Sequence, residues 1–176
     1  MDASLSLDRP LPDSLSVREG RDHYLRENGF TVEAYDEAWT PATLLGIDFS
    51  VPNTRKHRWG IMLHDLHHVA TGFGTDPVGE GEISGWEARS GLGPLGPYVG
   101  TIVAGGVALG LLLAPARTMR AFRAGGRSLF AGTPDQRYED LLDMRVGELR
   151  ALLGIPPGGL ADRPRRLHAR APLAER

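Results

Sequence analysis

Residues 98–115, YVGTIVAGGVALGLLLAP, carry no charge, and this constrains the fold of the chain more than any other stretch. A run of that length stands at the lower edge of what spans a bilayer, so it crosses a membrane or needs partial cover by protein. Four glycines lie within it, and Pro97 and Pro115 bound it, which weakens it as a lone transmembrane helix. No pair of basic clusters or aromatic belts brackets it. The expectation is therefore a buried or lipid-facing helix of a soluble chain rather than a span. The first residues, MDASLSLDRPLPDSL, lack the basic and apolar regions of a secretory signal, which points to a cytoplasmic protein, with peripheral membrane contact as an option.

Charge and cysteine content narrow the function. Lys+Arg is 20 against Asp+Glu 22, a net charge of -2, so nothing in the balance suggests a nucleic-acid partner. The chain of 176 residues has no cysteine, which removes disulfides, thiolate metal sites and thiol catalysis.

The periodicity is helical throughout, and strict alternation is absent. Polar, Pro/Ser-rich residues 1–20 read as a disordered segment, 21–156 as the folded domain and 157–176 as a loose tail. Short helices are expected over 22–28, closed by Gly29, and from Thr31 through Trp39. Asn53 or Thr54 can cap a long helix over 55–71 that Gly72 stops. Trp59, Met62, Leu63, Leu66 and Val69 form its buried stripe. After the loop GFGTDPVG, helices are expected over 80–89, 98–113 and 115–122, from Thr133-Pro134 through Leu142, and over 147–153. The fold class is all-α: a single-domain helical bundle with a metal site between the long helix and the start of the next.

The chemistry lies in HDLHHVATGFGTDPVGE. On the long helix His64, His68 and Asp65 span an arc at roughly 0°, 40° and 100°. Glu80, opening the following helix, can close the site from the opposite side. Two imidazoles and two carboxylates suit a divalent ion, with zinc foremost and iron or manganese as alternatives. His67 projects roughly 60° to the other side of His64 and is a candidate for proton transfer. Arg58 lies roughly 120° from His64, towards Asp65, and is a candidate to hold a substrate carboxylate. The motif also resembles His-Glu-x-x-His of zinc hydrolases, with Asp65 as the general base, provided Asp65 stands off the metal. A non-catalytic lipid-binding scaffold with a structural metal is a third reading. GVALG, within the apolar helix, follows no strand and is not a dinucleotide loop. That helix can line a groove or pack tightly through Gly100, Gly105, Gly106 and Gly110. Arg117, Arg120 and Arg123 after it can meet phospholipid or a dimer edge.

These residues resemble the Coq four family of ubiquinone (coenzyme Q) biosynthesis proteins. The family motif is His-Asp, two residues, His, eleven residues, Glu, and His64, Asp65, His68 and Glu80 meet it in full. YEDLLDMRVGELRALLGI is similar to the family's closing helix, so the resemblance covers roughly residues 24–155. It implies an all-α homodimer with one divalent metal, usually zinc, on those four residues, beside a hydrophobic groove for an isoprenoid tail. The implied activity is oxidative decarboxylation, which replaces the ring carboxyl of a polyprenylated hydroxybenzoate-type substrate by a hydroxyl. Some family members are also treated as organisers of the biosynthetic complex.

Overall fold

A computed structural model describes residues 10–44, 47–131 and 137–161, and they form a mostly helical fold. Its elements are α1 (Val17–Glu27), β1 (Trp39–Leu44), β2 (Ile47–Pro52), α2 (Arg55–Thr71), α3 (Pro77–Ser90), α4 (Pro97–Leu113), α5 (Pro115–Arg123), α6 (Tyr138–Asp143) and α7 (Val146–Leu153). Single 3-10 turns cover Val32–Asp36, Gly93–Leu95 and Leu129–Ala131.

The long helix α2 forms where its capping signals place it. Thr54 accepts a hydrogen bond from the His57 amide at its start, and Gly72 closes it in the left-handed conformation at φ 78°. Leu63, Leu66 and Val69 are buried as expected, and around them pack Val17 of α1, Ile83 and Trp86 of α3, Val99 and Val103 of α4, and Leu142, Leu149 and Leu153 of α6 and α7. Trp59, expected in the same stripe, is 38% exposed. It stands nearer the N-terminal end of α2, edge-on to Tyr138 at 6.1 Å.

Several boundaries differ from the sequence expectation, each for a local reason. Residues 17–20, assigned to a disordered segment, form the first turn of α1. Ser16 and Glu19 make a reciprocal capping box there, and the Val17 amide donates to the Met144 carbonyl at 2.8 Å. Residues 157–161, assigned to the tail, fold back, and the amides of Leu160 and Ala161 cap the Thr71 carbonyl of α2. The α3 helix starts at Pro77 rather than at Glu80, because Asp76 caps it by accepting from the Val78 and Gly79 amides and Pro77 suits the first turn. Thr31 through Trp39 yields only the 3-10 turn Val32–Asp36. Thr133 and Pro134 lie outside the described residues.

The absence of strands was also overturned. β1 and β2 pair antiparallel from Trp39↔Pro52 to Leu44↔Ile47. Pro41 sits within β1, opposite Ser50. A proline is tolerated because both strands of a two-stranded sheet are edges, where one amide of every pair faces away from the ladder.

The α4 helix resolves the two roles open to its glycines. A Cβ on Gly81 of α3 would lie 2.3 Å from Gly110 Cα, and one on Gly106 would lie 2.1 Å from Ser84 Oγ. Gly106 and Gly110 thus let α3 and α4 pack backbone to backbone. Gly105, on another side of α4, has nothing within 4 Å of such a Cβ. Among the described residues no helix is long and apolar enough to cross a membrane.

Two alanine substitutions separate these roles. Gly81→Ala forces α3 from α4 and should destabilise the protein by about 1–3 kcal/mol. Gly105→Ala meets open space and should be neutral or stabilise by up to about 1 kcal/mol, because alanine is the better helix former. Denaturant unfolding followed by circular dichroism measures both, and equal effects would remove the close approach as the reason for Gly81.

Candidate metal centre

Helix α2 is buried on nearly every side from Asp65 to Thr71, although it carries Asp65, His67 and His68 in that stretch. A helix surrounded by protein is ordinarily apolar, because an unpaired buried polar group costs several kilocalories per mole. Here each polar side chain has a defined partner.

His64 and His68 point their Nε2 atoms at each other, 3.0 Å apart. The Glu80 carboxylate completes a triangle, with Oε2 3.5 Å from His64 Nε2 and Oε1 3.5 Å from His68 Nε2. Ligands about 2.0–2.1 Å from a tetrahedral ion are separated by about 3.3 Å, so the triangle has the dimensions of a metal face. Glu80 gets there from the first turn of α3, after the loop and the Asp76-Pro77 cap turn the chain back.

The outer nitrogens explain why Nε2 faces inward. His68 Nδ1 lies 2.9 Å from the Phe73 carbonyl, which only accepts, so Nδ1 carries the hydrogen and Nε2 keeps its lone pair. His64 Nδ1 lies 2.8 Å from Glu87 Oε1. A metal-ligating histidine that donates its other N–H to a carboxylate or carbonyl has its tautomer and ring plane fixed. Tyr24 stacks on the His68 ring at 5.2 Å and 21°.

The protonation pattern follows. Burial opposes charge on His64, but Glu87 and Glu80 outweigh it and raise its pKa well above the usual value. Burial lowers the pKa of His68. Glu87 is held at about 2, because His64 and His67 overcome a burial that alone would raise it. The raised His64 pKa favours its imidazolium, whose Nε2–H would donate to His68 Nε2, 3.0 Å away. A proton there and a cation would compete for the same place between the rings.

Three of the four expected ligands converge: His64, His68 and Glu80. Asp65 is not in that set. Its carboxylate accepts from the Tyr35 hydroxyl, and Tyr24 also reaches it. Burial pushes Asp65 up to about 6, against the opposing pull of His64 and Tyr35. The structure directs the side chain away because the turn Val32–Asp36 brings Tyr35 beside it, which no spacing within the motif reveals.

The two residues singled out for catalysis are engaged elsewhere. His67 is fully buried between Trp86 and Phe130, at ring distances of 5.0 and 4.7 Å. Its Nδ1 donates to Glu87 Oε1 at 2.7 Å, and its Nε2 accepts from the Leu129 amide at 3.0 Å. Both nitrogens are occupied, so in this arrangement His67 anchors Glu87 and has no free position for a substrate proton. Arg58 pairs with Asp36 at 2.9 Å. That pair, with the Asn53 amide donating to the carbonyls of Tyr35 and Glu37, holds the turn that carries Tyr35.

Glu87 and Tyr35 were not singled out by the sequence reading. Glu87 had a signal, since it follows Glu80 by seven residues and so shares its helical face. Tyr35 had none.

The donor set fits a divalent ion and leaves access to it. Two imidazoles and one carboxylate form the open sets of catalytic zinc and of non-haem iron(II). The side chains of His64 and Glu80 are 25% and 38% exposed, so the triangle faces solvent on one side. One cleft of about 370 Å³, at the N-termini of α2 and α4, is lined by Thr54, Lys56, Leu95 and Tyr98 among others and contains none of these ligands. No protein-family model matches the chain, and no curated protein or solved structure matches it either.

Zinc titration into metal-free protein checks the ligand set. Asp65→Asn should keep near-stoichiometric binding, whereas Glu87→Gln should weaken it by about 10–100-fold through loss of the His64 orientation. Loss of binding in Asp65→Asn would return Asp65 to the first coordination sphere. Binding should also release about one proton per ion and weaken as pH falls below the raised His64 pKa, because the proton and the cation compete for Nε2.

Proposed function

We propose that this protein is a metal-dependent enzyme whose ion is held by His64, His68 and Glu80 and acts on an aromatic, polyprenylated benzoate-type substrate. The observation that carries the reading is the open triangle of two Nε2 atoms and a carboxylate, each ring locked from behind. The substrate class comes from the resemblance to the ubiquinone-biosynthesis family, whose motif spacing these residues keep. Zinc is the first candidate, with iron or manganese as alternatives.

A divalent ion at this position supplies Lewis acidity, which stabilises a phenolate or lowers the pKa of a bound hydroxyl. The chain's own residues do the rest. Glu87 and the Phe73 carbonyl hold the rings in the ligating orientation. Asp65, raised to about 6 and touched by two tyrosines, is poised to accept a proton near neutral pH. Tyr35 and Tyr24 restrain that carboxylate and would hold it off a bound ion. Removing a carboxyl from a ring and installing a hydroxyl is a net oxidation. Zinc carries no redox chemistry, so with zinc bound the electrons pass from substrate to an oxidant such as oxygen.

A second reading has a specific observation in its favour. A hydrolase of the His-x-x-x-His type needs an acidic base beside the metal but off it, and Asp65 is held in that way by Tyr35. In the scaffold reading the metal is structural, and a structural zinc has four protein ligands and no open position. The exposure of Glu80 and His64 argues against that closure.

Elemental analysis of the purified chain should find close to one divalent ion per protein, and His64→Ala should lose it while His23→Ala keeps it. Metal-free protein with full activity would overturn the proposal. With metal retained, Asp65→Asn should lower turnover by about 10²–10⁴-fold, the usual contribution of a general base. Assays on a prenylated hydroxybenzoate and on an ester or amide panel separate the two readings, according to which activity falls in that variant.

A further inference from the structure

His68 lies in the last turn of α2, and that turn is tied down by segments distant in the chain. The Ala70 carbonyl accepts from Arg150 Nε at 2.8 Å, and the Thr71 carbonyl accepts from the amides of Leu160 and Ala161 at 2.7 and 3.2 Å. Carbonyls at a helix end have no partner within the helix, so such contacts fix its last turn. A further tie is the Thr71 hydroxyl, on a residue with no exposure. It donates to the His67 carbonyl at 2.7 Å and accepts from the Phe73 amide at 3.3 Å. Donation to the carbonyl four residues back is common for threonine in helices and says little by itself. Acceptance from Phe73 says more, because that residue is then gripped at both ends. Thr71 holds its amide, and His68 Nδ1 holds its carbonyl at 2.9 Å.

A second threonine holds the far end of the loop that follows. Residues 72–76 link α2 to α3, and the Thr75 hydroxyl donates to Asn28 Oδ1 at 2.6 Å. The Asn28 amide group in turn donates to the Tyr24 carbonyl at 2.7 Å. Tyr24 is the residue whose ring stacks on His68. Thr75 also directly precedes Asp76, the cap of α3, so its tether to α1 bears on where the helix carrying Glu80 begins. His68 is thus met from outside by a carbonyl and by a ring, and a threonine at each end of the loop is bonded to the group behind it.

We infer that Thr71 and Thr75 are positioning residues of the metal centre, which hold the ring of His68 in the ligating orientation through the loop between α2 and α3. A neutral imidazole offers Nε2 to an ion only while its hydrogen sits on Nδ1. The Phe73 carbonyl selects that tautomer as long as it stays within hydrogen-bond distance of Nδ1. Without the Thr71 hydroxyl the buried Phe73 amide has no partner, and an unpaired buried amide is costly enough to turn the residue towards another one. Its carbonyl then leaves Nδ1, and the other tautomer places a hydrogen on Nε2, where the ion would bind. The inference rests on the reading of His64, His68 and Glu80 as metal ligands, and neither threonine belongs to that set.

Two measurements on the full chain test it. Nitrogen-15 NMR of the histidine side chains in metal-free protein reads the His68 tautomer. It should be the Nδ1–H form in the unaltered protein and in Thr71→Ser, and a mixture in Thr71→Val. Valine keeps the branched shape and removes the hydroxyl, whereas serine keeps the hydroxyl. In zinc titration Thr71→Val should bind about tenfold or more weakly, and Thr71→Ser within about twofold of the unaltered protein. Thr75→Val should weaken zinc by about threefold or more with little change in unfolding temperature. A general loss of stability would produce neither the tautomer change nor the rescue by serine. An unchanged tautomer or undiminished affinity in Thr71→Val, or a serine variant as weak as the valine one, would overturn the inference. Should Thr71→Val not fold, undiminished affinity in Thr75→Val overturns it. Unaltered protein that binds no zinc removes the metal reading instead, and the tautomer comparison, made without metal, still decides whether Thr71 sets the His68 ring.

Discussion

Everything at the centre of this protein is referred to one buried carboxylate. Glu87 Oε1 accepts from His64 at 2.8 Å and from His67 at 2.7 Å, and its side chain is 1% exposed. A carboxylate so enclosed would stay neutral without compensation, yet the two imidazoles hold it ionised at about 2. Glu87 therefore fixes the register of α3 against α2. Two helical turns earlier on the same face stands Glu80, and that register delivers it to His64 and His68. Through His67 the same network extends to the Leu129 amide, so the turn Leu129–Ala131 is tied in as well.

The glycines of α3 and α4 make that register affordable in space. Backbone contact between Gly81 and Gly110, and the seating of the Ser84 side chain against Gly106, bring the apolar helix α4 close against the helix that bears Glu80. The bidentate Arg117–Glu82 pair ties α5 to the same helix. Helix α3 is thus clamped on one side by charge-assisted hydrogen bonds to α2 and on the other by close packing and an ion pair. Donors that are to hold an ion must be fixed to within a fraction of an ångström, and such clamping from both sides would serve that need.

Around the triangle the molecule divides its polar groups by role. Rings pinned at Nδ1, those of His64 and His68, turn Nε2 inward. The group pinned on both atoms, His67, is structural. The group held by hydroxyls, Asp65, is buried outside the triangle and has a pKa raised towards neutrality. Four residues within five positions thereby take three different roles, each set by what lies behind the side chain rather than by the side chain itself.

The sequence by itself determined the helical class, the limits of α2 from Thr54 to Gly72, and the pairing of His64 and His68 on one helical face, because caps and a period of 3.6 residues act locally. It also marked Glu80 as the acid returning after the loop. The boundaries of α1 and α3 were legible in Ser16–Glu19 and Asp76–Pro77, but composition masked the first and loop formers the second. The pairing of β1 with β2 was not legible, since strand alternation is weak around Pro41. Only the tertiary structure decided that Asp65 turns to Tyr35, that Glu87 stands behind His64, and that α4 leaves one face uncovered. Each of those depends on contacts between residues distant in the chain, and hydrogen-bond geometry and burial at such contacts are properties of the packed whole.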